Sequence, residues 1–209
     1  MKAVRAIAAA AAACLLVSGC AGRTPQQAAL PAATDPDATA TATAADATAN
    51  APSRAERVAE ALVMAAAAEQ ASNAPALAQA AQRLERLGAA PQNEADQAIM
   101  ARWLAALPAD AAPLRGRALG PAYRSAVLDP GAATQLNQTF FGGRAAQIVV
   151  RAVRGPAPRL VVHDQANREV CKAHDDPAKC RWVPLYTQRH RIEIANTGPN
   201  LSEFYIVFD

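Results

Sequence analysis

Large apolar side chains are scarce in this chain. Aromatic residues make up only 4% of its 209 residues, and no stretch of 18 apolar residues occurs beyond the N-terminus. The second absence excludes a multispan membrane protein built from helices, since one crossing takes about 20 apolar residues. The first shows that the 52% hydrophobic content overstates the core, because 57 of those residues are alanine. The shortage is uneven: residues 1–135 hold 49 of the alanines and two of the nine aromatics, while 136–209 hold eight and seven. That break excludes one large enzyme domain of uniform character. A dominant charge is also missing, with 21 basic residues against 18 acidic, so no strongly charged partner is implied and nucleic acid is not expected. Nucleophile-elbow, H-E-x-x-H and phosphate-loop motifs are absent as well, and the chain is expected to be no enzyme and to need no cofactor.

The N-terminus carries the clearest signal. Lys2 and Arg5 give a positive start, Ala6 to Val17 an apolar run too short to span comfortably, and Val17-Ser18-Gly19-Cys20 a small-residue end. A plain secretory signal would read similarly, but a cysteine directly after Leu16-Val17-Ser18-Gly19 resembles the bacterial lipoprotein signal, the lipobox. That resemblance implies cleavage after residue 19 and a diacylglycerol thioether on Cys20, with the membrane as a partner through the lipid. Ala21 and Gly22 lack the aspartate associated with inner-membrane retention, which implies an outer-membrane anchor facing the periplasm. The regional charge then runs from −2 over 20–50 through zero over 51–135 to +3 over 136–209.

Residues 20–52 are nearly all Ala, Thr, Pro, Asp and Gln, the composition of a disordered tether. Ser53-Arg54-Ala55-Glu56 matches a capping box and opens a helical segment over 53–107. A first helix is expected over about 54–72, a second after the cap Asn73 and ended by Gly88, and a third over about 93–107, closed by Pro108. Their narrow, alanine-rich faces suit packing on one another or on a partner. Four prolines and three glycines between 108 and 135 indicate a linker, with one short extended piece at Tyr123 to Leu128.

From 136 to 209 short runs rich in aromatic and β-branched residues, Thr139-Phe140-Phe141, Gln147 to Val153, Leu160 to His163, Arg189 to Ala195, and Glu203 to Phe208, alternate with turn signals such as Phe141-Gly142-Gly143. Phe204, Ile206 and Phe208 share one face of the last run. The fold expected is α+β by segments, ending in an antiparallel, jelly-roll-like β-sandwich. About 70 residues make a small sandwich core, for which a covalent staple is welcome. Cys171 and Cys180 are the thiols left once Cys20 is acylated, and an oxidising compartment favours a disulfide between them. A redox pair is the alternative, though the C-x-x-C spacing is lacking.

Phe141-Gly142-Gly143-Arg144, Leu160-Val161-Val162-His163-Asp164, Val170-Cys171, Cys180-Arg181-Trp182-Val183-Pro184, Ile192 to Gly198 and Phe204 to Val207 together resemble the bacterial pre-peptidase C-terminal domain. The resemblance covers roughly 70 residues and implies a jelly-roll-like sandwich serving as a non-catalytic accessory or binding module. Some members of the broader group bind calcium with Asp-Leu-Asp before a strand; the matching place here reads Arg159-Leu160-Val161, without those carboxylates.

Trp182 and Tyr186 flank Pro184, with Arg181, Arg189 and Arg191 close in sequence, a set able to meet a sugar or an acidic glycan if exposed. Trp182 on a strand equally suits the core. His163, His174 and His190 with Asp164, Asp175 and Asp176 would make a metal cluster only if they converged; no metal is expected. The function expected is a non-enzymatic, membrane-anchored envelope lipoprotein whose sandwich binds or scaffolds another envelope protein. The second expectation is a carbohydrate- or cell-wall-binding module using Trp182 and Tyr186.

Overall fold

The computed structural model describes residues 51–107 and 119–209; the signal over 1–19, Cys20 and the tether up to residue 50 lie outside the described residues. Among the described residues three helices precede the sheets, α1 (Arg54–Gln70), α2 (Ala74–Leu87) and α3 (Glu94–Leu104), with a two-residue strand β1 (Ala90–Pro91) before the third. Eight strands follow: β2 (Ala122–Leu128), β3 (Ala133–Phe140), β4 (Ala146–Arg154), β5 (Arg159–His163), β6 (Glu169–Ala173), β7 (Ala178–Trp182), β8 (Gln188–Ala195) and β9 (Ser202–Phe208).

Helix ends are set by local side chains. Ser53 Oγ accepts from the Glu56 amide at 3.1 Å and Glu56 Oε2 accepts from the Ser53 amide at 2.8 Å, which completes the capping box. Asn73 Oδ1 accepts from the Ala76 amide to start α2, and Gly88, at φ 66°, ends it in the left-handed conformation that a glycine adopts without steric cost. Arg54 reaches across and donates from Nη2 and Nε to the Leu87 carbonyl at 2.9 and 3.2 Å, so one cation of α1 satisfies the C-terminus of α2. Replacing Ser53 by alanine should cost about 1 kcal/mol, read from urea unfolding.

The strands form two sheets, ordered β1-β2-β9-β4-β7 and β3-β8-β5-β6, antiparallel apart from the β1–β2 pair. Ile148, Val150, Phe204 and Ile206 of the first sheet meet Leu160, Val162, Ile192 and Ile194 of the second, and these side chains fill the sandwich. The first sheet is buried on both faces. Its opposite side, Tyr123, Val149, Tyr205 and Val207, packs on Val58, Leu62, Leu84 and Trp103 of the helices. The molecule is therefore three layers deep, and the helices of 53–107 join the sandwich rather than forming a unit of their own. The outer face of the second sheet is left to solvent.

Between layers the joints are polar. Asp96, fully buried in α3, accepts from the Ser125 amide at 2.9 Å and from Ser125 Oγ at 2.6 Å on β2, and from Asn93 Nδ2 at 2.6 Å. Lys179 Nζ on β7 pairs with Glu56 Oε1 at 2.8 Å, 123 positions away. Burial works against the Glu56 charge, but Lys179 and the Ser53 cap more than offset it and hold the carboxyl at about 2, below its usual 4.5. A carboxylate depressed in the folded state contributes stability above its unfolded value and loses it as pH falls. The stability difference between the wild type and Glu56→Gln should therefore shrink as pH drops from 4.5 towards 2, which denaturation at a series of pH values would follow.

One boundary differs from the sequence reading. Of the expected linker 108–135, residues 108–118 lie outside the described residues, the extended piece expected at Tyr123 to Leu128 is β2, and 133–135 belong to β3 rather than to a linker. The sandwich thus starts at Ala122, not at 136. The prolines misled because Pro121 and Pro130 stand just outside β2, where no ladder amide is needed, and Gly131 serves the turn into β3 at φ 73°. The segment between the cysteines is half strand: β6 ends at Ala173 and β7 begins at Ala178, leaving 174–177 as the turn between them.

Candidate binding surfaces

The disulfide between Cys171 and Cys180 is present, with Cα atoms 5.8 Å apart. Cys171 lies on β6 and Cys180 on β7, the edge strands of opposite sheets, so the bond closes one side of the sandwich.

The four residues singled out as a ligand surface do not come together. Side chains alternate along a strand, so Cys180 and Trp182 turn inward while Lys179 and Arg181 face the helix side of the first sheet. Trp182 stacks edge-on against Phe140, ring centroids 4.9 Å apart, and its Nε1 donates to His190 Nε2 at 3.3 Å. Half-buried, it packs against the end of the sandwich core. Burial lowers the pKa of His190, only partly opposed by its hydrogen bond to the Gln188 carbonyl and by the negative charge of Asp164, which favours the neutral ring able to accept from Trp182. Arg189 projects from β8 on the open face of the second sheet. Tyr186 stands alone of the four on a loop.

The histidines and aspartates scatter as well. His190 is internal, His163 lies on the outer face of β5, and His174 Nε2 is 3.2 Å from Thr197 Oγ1. Asp164 is held by Arg168, whose Nη2 and Nε approach at 2.7 and 2.8 Å. Among the described residues no group of three or more metal-capable side chains gathers.

What the structure does assemble is a surface of two interlocked loops. The turn Phe141-Gly142-Gly143-Arg144 lies on the segment 183–187: Gly143 donates to the Pro184 carbonyl at 2.8 Å and Gly142 to Thr187 Oγ1 at 3.0 Å. A β-carbon on Gly142 would sit 2.8 Å from the Thr187 nitrogen, so this close stacking requires glycine there. Four large apolar side chains stand out from the locked pair: Phe141, 61% exposed, Val183, 58%, Leu185, 82%, and Tyr186, 74%. Arg144 lies over the Phe141 ring at 5.9 Å and, with Arg181, Ser53 and Gln147, lines an adjoining groove of about 670 Å³. The sequence marks Tyr186, but Phe141 reads there as the end of the run Thr139-Phe140-Phe141 and the start of a turn, and Leu185 carries no signal of its own. The signal available was the run Val183-Pro184-Leu185-Tyr186, whose proline breaks the strand and leaves the residues after it outside the core.

No family model matches the chain, and no curated protein does. Solved structures resemble part of it. The pre-peptidase C-terminal domain of a Bacillus anthracis collagenase is similar over 43% of this chain and 89% of its own, at 7% identity and a TM-score of 0.39. PliG of Aeromonas hydrophila, a periplasmic inhibitor of g-type lysozyme, is similar over 43% and 84%, at 6% identity and a TM-score of 0.35. The Yersinia pseudotuberculosis-derived mitogen covers the same shares at 13% identity and a TM-score of 0.37.

Proposed function

We propose that this chain is a lipid-anchored envelope protein without catalytic activity, whose β-sandwich is a binding module that meets another envelope protein through the Phe141 and Leu185–Tyr186 loops. The observation that carries this reading is the cluster of four exposed apolar side chains on loops fixed to each other. Isolated surface hydrophobes are ordinary, whereas a grouped set on a preorganised frame is what a protein interface uses. The anchor rests on the sequence alone, on Cys20 after Leu16-Val17-Ser18-Gly19.

The cell-wall reading has Trp182 half-buried against Phe140 and His190 and Tyr186 as its one exposed ring, so the protein partner is favoured. The test is cross-linking in intact envelopes with the full-length acylated chain and with a Leu185→Asp, Tyr186→Ser variant. Both positions are exposed, so the variant should keep its thermal midpoint. A defined protein adduct that disappears with the variant supports the reading, while adducts unchanged in the variant overturn it. Retention on purified peptidoglycan that is lost with Tyr186→Ser would favour the cell wall instead. The anchor is tested separately: Cys20→Ser should shift the protein from the membrane to the soluble envelope fraction.

A further inference from the structure

The open face of the second sheet carries a different kind of site. Register places Asn137 on β3 opposite Arg191 on β8, and Arg191 opposite His163 on β5, so these three share one row across the sheet. Arg189, two positions along β8, faces the same way, about 7 Å from Arg191 at the usual rise per strand residue. The β5–β6 turn adds Asp164, Gln165 and Asn167, and these three with Asn137, Arg189 and Arg191 line a cavity of about 390 Å³, with His163 in the neighbouring row position. Small-molecule sites span roughly 300–1,000 Å³.

Charge within this cavity does not cancel. The one carboxylate, Asp164, is already engaged by Arg168 through Nη2, Nε and the Arg168 amide at 2.9 Å. Arg189 and Arg191 have no ion-pair partner among the described residues. Arg191 Nε is also shielded from solvent without a hydrogen-bond partner, an arrangement that is costly unless something supplies an acceptor. Two forked guanidinium groups select a planar oxyanion, and the amides of Asn137, Gln165 and Asn167 offer donors and acceptors that match hydroxyl groups.

We infer that this cavity binds a carboxylate flanked by hydroxyl groups, the chemistry of a uronic acid, with Arg191 and Arg189 on the carboxylate and the three amides on the hydroxyls. The site shares no residue with the loop surface of the proposed function and stands or falls without it. A polysaccharide end or chain and a free sugar acid carry the same group.

Calorimetric titration of the full-length chain in neutral detergent separates the cases, with trigalacturonate, galacturonic acid, neutral galactotriose and inorganic phosphate as probes. Expected are binding of both acids, binding of galactotriose at least about 10-fold weaker, and a loss of affinity as salt rises. Arg189→Gln should weaken trigalacturonate about 10-fold without moving the thermal midpoint, and Asn137→Ala should weaken it less. A trimer tighter than the monomer identifies a polysaccharide, and equal affinities a free sugar acid. Binding of galactotriose equal to trigalacturonate, phosphate as tight as galacturonic acid, no heat with any probe, or full affinity in both variants would overturn the inference. Arg189 is exposed at the sheet surface, so its substitution remains informative even if an Arg191 variant fails to fold.

Discussion

Replacing Cys171 and Cys180 by serine, or reducing the bond between them, should lower stability by about 2–3 kcal/mol. Their nine-residue separation sets that scale through the chain entropy regained on unfolding. For a folded unit of this size the thermal midpoint should fall by about 5–10 °C, which calorimetry with and without reductant would measure. The location adds a second effect. Neighbours in one sheet are joined by ladders of hydrogen bonds, but β6 and β7 lie in different sheets, so the bond is the covalent link across that side. Amide exchange should accelerate first in β6 and β7, while β9 in the middle of the first sheet keeps its protection. Uniform acceleration in all strands would contradict that assignment.

Asp96→Ala should cost about 3 kcal/mol, because the carboxylate is fully buried and its loss strands the Ser125 amide and hydroxyl in a dry layer. Asp96→Asn should recover little. Asparagine presents one acceptor where the carboxylate presents two, and its amide would turn donors towards Asn93 Nδ2 or Ser125. Urea unfolding of Asp96→Ala, Ser125→Ala and the double variant checks this: the double variant should cost less than the sum, since the hydroxyl and carboxylate share one bond. Strict additivity would mean that the two residues act independently and that α3 is held by its apolar face alone.

The helix ends were legible because each is decided by one or two adjacent residues. Ser53 with Glu56, Asn73 and Gly88 act on their own turn, whatever packs outside it. Strands β4, β5, β8 and β9 fall within two residues of the expected runs, because alternation along a strand reports the face that is buried. The extended piece expected at Tyr123 to Leu128 is β2, whereas proline and glycine density hides its place in the first sheet and the start of β3 at Ala133, because those residues stand at strand ends and not inside them. Helical cover of the first sheet also escaped, although Phe204-Tyr205-Ile206-Val207-Phe208 held the clue. Phe204, Ile206 and Phe208 fill the sandwich, and Tyr205 and Val207 are as apolar because they meet helices. An uninterrupted apolar strand is the mark of burial on both faces. The binding surfaces were the least legible part: Trp182, Arg181, Arg189 and Tyr186 are close in sequence, but strand alternation sends the first three to three different faces.

The position of β9 bears on when the fold can form during synthesis. This strand, over 202–208, lies between β2 and β4 and provides the pairing that joins them within the first sheet. A nascent chain that has emerged as far as residue 200 holds the helices and eight strands yet lacks the seam between its two halves. Completion of the first sheet thus waits for β9, and ribosome-stalled chains ending before Ser202 should remain protease-sensitive however long they are held.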